Sequence, residues 1–190
     1  NALDYLKLPG RSPVPAVFVL LTDSLEEIKA GTKTASNRGY SHLKVKLFAD
    51  HDLNKKIIRS VRAVNPELYL IGDVNCGYEN SGSEDSLEAL RSNLQDLSDL
   101  GLDACEDPAY LYIEEWEWVQ SSLDKLSLIP DYPMRPSRDS IHQIHSQMGQ
   151  IFNIHPGSCG SVVDGIRLGQ KTHAMDRGLM IGDDSLIGPA

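Results

Sequence analysis

Two lysines one residue apart, Lys44 and Lys46 in "HLKVKL" (42–47), are the first residues whose spacing suggests chemistry. Side chains of a strand alternate between its faces, so both ammonium groups point one way while Leu43, Val45 and Leu47 point the other. On the wet face of an edge strand such a pair needs no explanation. Turned into a barrel or cleft, it needs a chemical reason. Further acids and bases fall where apolar runs end: Asp73 closes "LYLIGD", Glu106 closes "LDACE", Asp139 follows "YPMRPSR", His155 closes "IFNIH", and Asp183 and Asp184 follow "GLMIG". Polar residues after strands are common, because loops begin there. Three carboxylates side by side are a different matter: they repel unless a hard cation lies between them, and Asp and Glu oxygens suit Mg²⁺.

The elements that position these groups repeat in a strand-then-helix rhythm. "AVFVLL" (16–21) is a continuous apolar run of the buried parallel kind, followed by a helix with Ser24 and Glu27 as a capping box and Gly39 as its stop. "HLKVKL" precedes a helix from about residue 53 to 64, which Asn65-Pro66 ends. "LYLIGD" (68–73) precedes the clearest helix, striped by Leu87, Leu90, Leu94, Leu97 and Leu100, with Asp85 and Glu88 at its start and Gly101 at its stop. "LDACE" (102–106) and "LYIEEWEWVQSSLDKL" make a fourth pair. The fifth unit is expected to be an irregular strand in "YPMRPSR" and a helix over about 140–148. "IFNIH" (151–155), a helix over 161–175 and "GLMIGD" (178–183) complete seven units. Strict alternation implies a parallel α/β sheet, either doubly wound or a TIM-type (β/α) barrel. The polar strand ends favour the barrel.

Composition excludes several classes. The chain of 190 residues has 27 acidic against 18 basic residues, a net charge of −9, which argues against nucleic-acid and anionic-membrane binding. No apolar run reaches the ~18 residues of a membrane span. Cys76, Cys105 and Cys159 form neither a disulfide framework nor a zinc pattern, so a reducing cytoplasm is the expected home. His142 and His145 in "IHQIHSQM" read as surface histidines, and "YLYIEEWEWVQ" as an amphipathic helix packing aromatics on the barrel or at a subunit interface.

Five motifs in order carry a resemblance: "KVK" in the second strand, "DVNCGY" closing the third, "EDP" after the fourth, "NIHPGSCGS" at the sixth and "GLMIGDDSLIG" at the seventh. Together they resemble the enolase superfamily, in particular its muconate-lactonizing/dipeptide-epimerase branch, along essentially the whole chain. The resemblance implies a Mg²⁺ (or Mn²⁺) enzyme that abstracts the α-proton of a small carboxylate substrate. The metal stabilises the resulting enediolate, and the outcome is racemisation, epimerisation or cycloisomerisation. It implies Asp73 and Glu106 as metal ligands, Lys46 as the base with Lys44 as the cation that tunes it, Asn75 beside the first ligand, and a homo-oligomer. One of Asp183 and Asp184 falls near the strand-seven acid, with Asp184 expected in a supporting position.

The sequence departs from the pattern at three places. The third metal ligand is the aspartate of an Asp-Glu-Ser segment; here "PSRDSI" sets Arg138 at that position, so either Asp139 reaches the metal by a one-residue shift or the site lacks its third acid. Asp131 is a weaker substitute, read as a turn residue before Tyr132-Pro133. His155 replaces a lysine, which leaves a two-base racemase, a lyase in which His155 protonates a leaving group, or a structural histidine. Finally, the motifs place residues 1–190 in a single barrel domain without the family's capping domain or eighth strand. The expectation is a fragment of a longer chain, an incompletely represented protein, or a barrel completed by a partner. A degenerate barrel without chemistry is the non-enzymatic alternative.

Overall fold

The computed structural model describes residues 14–135, 141–158 and 160–182. Among them the elements alternate as β1 (Val17–Leu20), α1 (Leu25–Asn37), β2 (His42–Lys46), α2 (His51–Val64), β3 (Tyr69–Asp73), α3 (Glu84–Asp99) and β4 (Ala104–Glu106). The series continues through α4 (Ile113–Ser121), β5 (Ser127–Ile129), a 3₁₀ turn (Tyr132–Met134), β6 (Ile151–Ile154), α5 (Val162–Ala174) and β7 (Gly178–Ile181). Strands β1 to β5 pair in sequence order, all parallel, and β6 pairs with β7 in the same sense. Backbone bonds from Gln150 N to Leu128 O (3.2 Å) and Asn153 N to Pro130 O (3.1 Å) carry the order from β5 to β6. The expected fold is therefore observed: a (β/α) barrel of seven described strands, incomplete between β7 and β1.

The pleat sorts the two faces. Leu43, Val45, Leu47, Leu70, Cys105 and Leu128 point outward into the main core, where Ile57, Ile58, Leu90, Leu94, Leu97 and Trp116 of the helices cover them. Each such aliphatic side chain contributes about 1.5–3 kcal/mol by leaving water. The inner face carries a small second cluster of Ile71, Ala104 and Ile129. Lys44 pairs with Ile71, and the next inward row aligns Lys46, Asp73, Glu106 and Ile129 across β2 to β5. The lysine pair thus faces the barrel interior.

Helix starts follow the hydroxyl and carboxylate signals. Ser24 accepts from Glu27 N, Asp50 from Leu53 N and Ser161 from Asp164 N. The Glu27 carboxylate accepts from Thr22 Oγ1 (2.7 Å). At α3 the cap is Ser83, which accepts from Ser86 N, with Asp85 inside the first turn rather than at the cap. No helix among the described residues is long and apolar enough to cross a membrane.

The fifth unit differs from expectation. Its strand is "SLI", ended by Pro130, which has no N–H to give to a ladder; "YPM" forms the 3₁₀ turn. The following helix covers only residues 141–143 of the described part, and residues 144–150 are irregular. Gly149 lies so close to β5 that a Cβ there would meet Leu128 O at 2.6 Å and Pro130 Cδ at 2.7 Å.

Candidate active site

The carboxyl ends of β2 to β6 bring one set of charged side chains together. From β2, Lys44 Nζ lies 2.6 Å from Glu106 Oε2 and 3.3 Å from Asp73 Oδ2. Lys46 Nζ is buried without a hydrogen bond, 4.0 Å from Asp73 Oδ1. Asp73 ends β3 and accepts from the backbone N–H of Asn75 (3.1 Å), so Asn75 meets Asp73 through its main chain. Its φ of 46° lies in the left-handed region that asparagine tolerates.

Glu106, almost wholly buried at the end of β4, is the centre of the set. Its Oε1 accepts from Asn153 Nδ2 (2.9 Å), and that same nitrogen lies 3.1 Å from His155 Nε2. Its Oε2 has no hydrogen bond and meets only the Lys44 ammonium as an ion pair. Burial pushes the Glu106 carboxyl up to about 7, against the Lys44 charge, with Asp73 and Asp131 adding to the rise. Burial also works against the charge on Lys44, but Glu106 and Asp73 outweigh it and raise its pKa. Lys44 is therefore a fixed cation whose charge is already shared with two carboxylates.

The residue at the exit of β5 is Asp131. It is buried, lies 3.3 Å through Oδ1 from His155 Nε2, and with Glu106 and His155 forms a group whose ligand atoms lie within 4.8 Å of one another. Asp131, read from the sequence as a turn residue and a weaker substitute ligand, thus joins Glu106 and His155 in one cluster. The Asp139, Asp183 and Asp184 assignments, and Arg138 beside the first, lie outside the described residues. The signal for Asp131 was present in "SLIPD", an apolar run followed by an acid. It was obscured because the strand was sought in the proline-containing segment downstream.

Two further residues escaped the sequence reading. Asp107 accepts from the backbone N–H of Asp131 (2.9 Å) and of Tyr132 (3.0 Å), which fixes the turn carrying Asp131. Burial raises its carboxyl to about 7, the two amides opposing and the Asp131 charge reinforcing the shift. Arg135 grips Asp131 with both Nε and Nη2. Burial, with Asp107, Asp73 and Asp131 nearby, pushes the Cys76 thiol up to about 12, and burial holds Cys105 well above its ordinary value.

Elsewhere, His145 pairs with Glu117 at 2.5 Å and His142 is exposed, consistent with surface histidines. Of the aromatics before and within α4, Trp116 is core while Tyr110, Tyr112 and Trp118 are exposed.

The donor set suits a hard divalent cation: carboxylate oxygens from three adjacent strands, one buried oxygen without a hydrogen bond, and an ammonium already seated between two of the acids. No protein-family model matches the chain, and no curated protein matches it in sequence. Its likenesses are structural. A dipeptide epimerase from Cytophaga hutchinsonii, complexed with Mg and the dipeptide D-Ala-L-Val, superposes with a TM-score of 0.79 at 16% identity over 95% of this chain and 47% of its own. A mandelate racemase/muconate lactonizing enzyme from Roseiflexus sp. gives 0.76 at 19% identity over 90% of this chain and 48% of its own. A dipeptide epimerase from Enterococcus faecalis V583, complexed with Mg and L-Leu-L-Tyr, gives 0.77 at 17% identity over 90% and 47%. The chain spans about half the length of these structural neighbours. Over that half, its fold is that of the barrel domain shared by the mandelate racemase/muconate lactonizing enzymes and dipeptide epimerases of the enolase superfamily.

Proposed function

We propose that the protein removes the α-proton of a small carboxylate substrate; as a racemase or epimerase it returns a proton to the same carbon, and as a cycloisomerase the electron pair left on the α-carbon instead expels a group from the neighbouring carbon, opening a ring. The observation that carries this reading is the single inward row of Lys46, Asp73 and Glu106, extended by Asp131 and His155 at the same end of the barrel. A divalent cation held by Asp73, Glu106 and Asp131 would supply positive charge where negative charge develops on the substrate carboxylate.

The chain's own groups do the rest. Lys46 presents a buried amine without a hydrogen-bond partner, which suits the base that takes the α-proton onto Nζ. His155 directly follows β6, so it stands on the far side of strands β3, β4 and β5 from Lys46 of β2. Asn153 and Asp131 hold its Nε2, an arrangement suited to delivering a proton to the opposite face of the substrate. Lys44 stays charged beside Asp73 and Glu106 and keeps these acids from repelling each other.

The test is solvent deuterium uptake at the α-carbon, followed by mass spectrometry and NMR, with full-length protein, Mg²⁺ and a panel of dipeptides and other carboxylates bearing an α-proton. Uptake lost in Lys46→Met is the expected result. Elimination of water or ammonia instead would move the reading to a lyase. One observation favours a second reading, a binding barrel without chemistry: Lys44 and Arg135 already pair with all three acids. A folded protein that binds no Mg²⁺ and exchanges no α-proton would establish it.

A further inference from the structure

The Arg135–Asp131 pair has a consequence of its own for how the site takes up a cation. Arg135 lies four residues after Asp131, beyond the 3₁₀ turn, and its guanidinium returns to that carboxylate. Nε and Nη2 donate to Oδ1 at 3.2 and 2.9 Å, and Nη2 also reaches Oδ2 at 2.7 Å. The same Oδ1 faces His155 Nε2 at 3.3 Å. The oxygen turned into the cluster is thus the one most fully engaged by the guanidinium. Planar, bidentate pairing of this kind is among the stronger charge-assisted contacts a carboxylate makes. Asp131 is buried, while the Arg135 side chain borders solvent and is about one-third exposed.

We infer that Arg135 is an internal counter-cation of Asp131 that competes with the divalent metal and sets the metal affinity of the site. The inference rests on the metal-centre reading proposed above. Lys44 does the equivalent at Asp73 and Glu106, but it comes from inside the barrel wall. Arg135 comes from the rim, on the solvent side of Asp131. Two effects act in the same direction. Removing the arginine releases both Asp131 oxygens from the guanidinium, and it removes a positive charge that repels an incoming cation. A purely supporting arginine, one that aims Asp131 at the metal, predicts the opposite sign.

The experiment is Mg²⁺ binding by calorimetry, with Mn²⁺ binding by electron paramagnetic resonance beside it, on the full-length wild type, Arg135→Gln and Arg135→Lys. Urea midpoints establish that each protein is folded. The expected result is a Kd lowered roughly fivefold or more in Arg135→Gln, the equivalent of about 1 kcal/mol for a partly exposed pair, and a smaller decrease in Arg135→Lys, which keeps the charge but loses the fork. An unchanged or raised Kd in a folded Arg135→Gln overturns the inference and leaves the metal site standing. If that variant does not fold, Arg135→Lys decides, and a Kd equal to the wild type's overturns it. Absence of binding in the wild type and both variants removes the proposed function and this inference together.

Discussion

At the scale of single residues, the proposed metal site turns on which acid completes its ligand set. Asp131 is anchored from behind by Asp107, gripped by Arg135 and directed at His155, so its position is fixed by contacts on every side. Asp131→Asn is therefore expected to weaken Mn²⁺ binding at least about tenfold, measured by titration of the folded variant. Should Asp139→Asn produce that loss instead, the ligand role passes to Asp139. Glu106 supports a second prediction, on pH. Its carboxyl is raised from 4.5 to about 7, chiefly by burial, so the folded state holds the proton more tightly than the unfolded chain. The stability this provides is full below the unfolded value and is lost as pH rises through the folded one. In metal-free buffer, the unfolding free energy of the wild type relative to Glu106→Gln should fall between pH 5 and pH 8, by an amount on the order of 3 kcal/mol. A difference that is flat with pH in urea titrations would show that Glu106 keeps an ordinary carboxylate value.

At the scale of elements, β7 shapes the histidine it packs against. A Cβ at Gly182 would overlap the His155 ring at Nε2, with Cε1 at 2.5 Å and Cδ2 at 2.6 Å, so the bare backbone leaves the space the imidazole occupies. Gly182→Ala should push the ring away from Asp131 and Asn153 without touching the metal ligands. If His155 serves the face opposite Lys46, the variant should still exchange the α-proton of one substrate configuration while inversion falls by about 10² or more. Equal loss of exchange and inversion, with Mg²⁺ affinity unchanged, would assign His155 another role. The sequence made the site legible where strands are regular. Lys44, Lys46, Asp73 and Glu106 end apolar runs whose period of two or unbroken hydrophobicity is itself the strand signal. It hid the fifth strand for a physical reason: three residues, cut off by Pro130, are too few to show a period, and the tyrosine-proline segment beyond drew the assignment away from Asp131. Asp107 and Arg135 were hidden differently. Their roles are contacts across a turn, and no spacing along the chain encodes them.

At the scale of the whole molecule, Glu106 sits beside Asp73 in the β3–β4 register and clusters with Asp131, bringing together acids far apart in sequence. The barrel wall carries the energetics of folding through its outer core, while the inner end collects like charges that oppose it. Lys44 and Arg135 relieve part of that opposition, and a divalent cation would relieve more, because the unfolded chain offers it no equivalent site. Such a ligand stabilises the fold by mass action, about 2.7 kcal/mol when its concentration is a hundredfold above Kd. For a domain of this size, that corresponds to a rise in Tm of roughly 5–10 °C. Calorimetric scans with excess Mg²⁺ against chelator should show such a rise in the wild type and not in Asp73→Asn. A Tm indifferent to Mg²⁺ in both proteins would mean that the internal cations alone balance the acids. The barrel would then be an ion-paired scaffold, and the proposed chemistry would fail with the metal site.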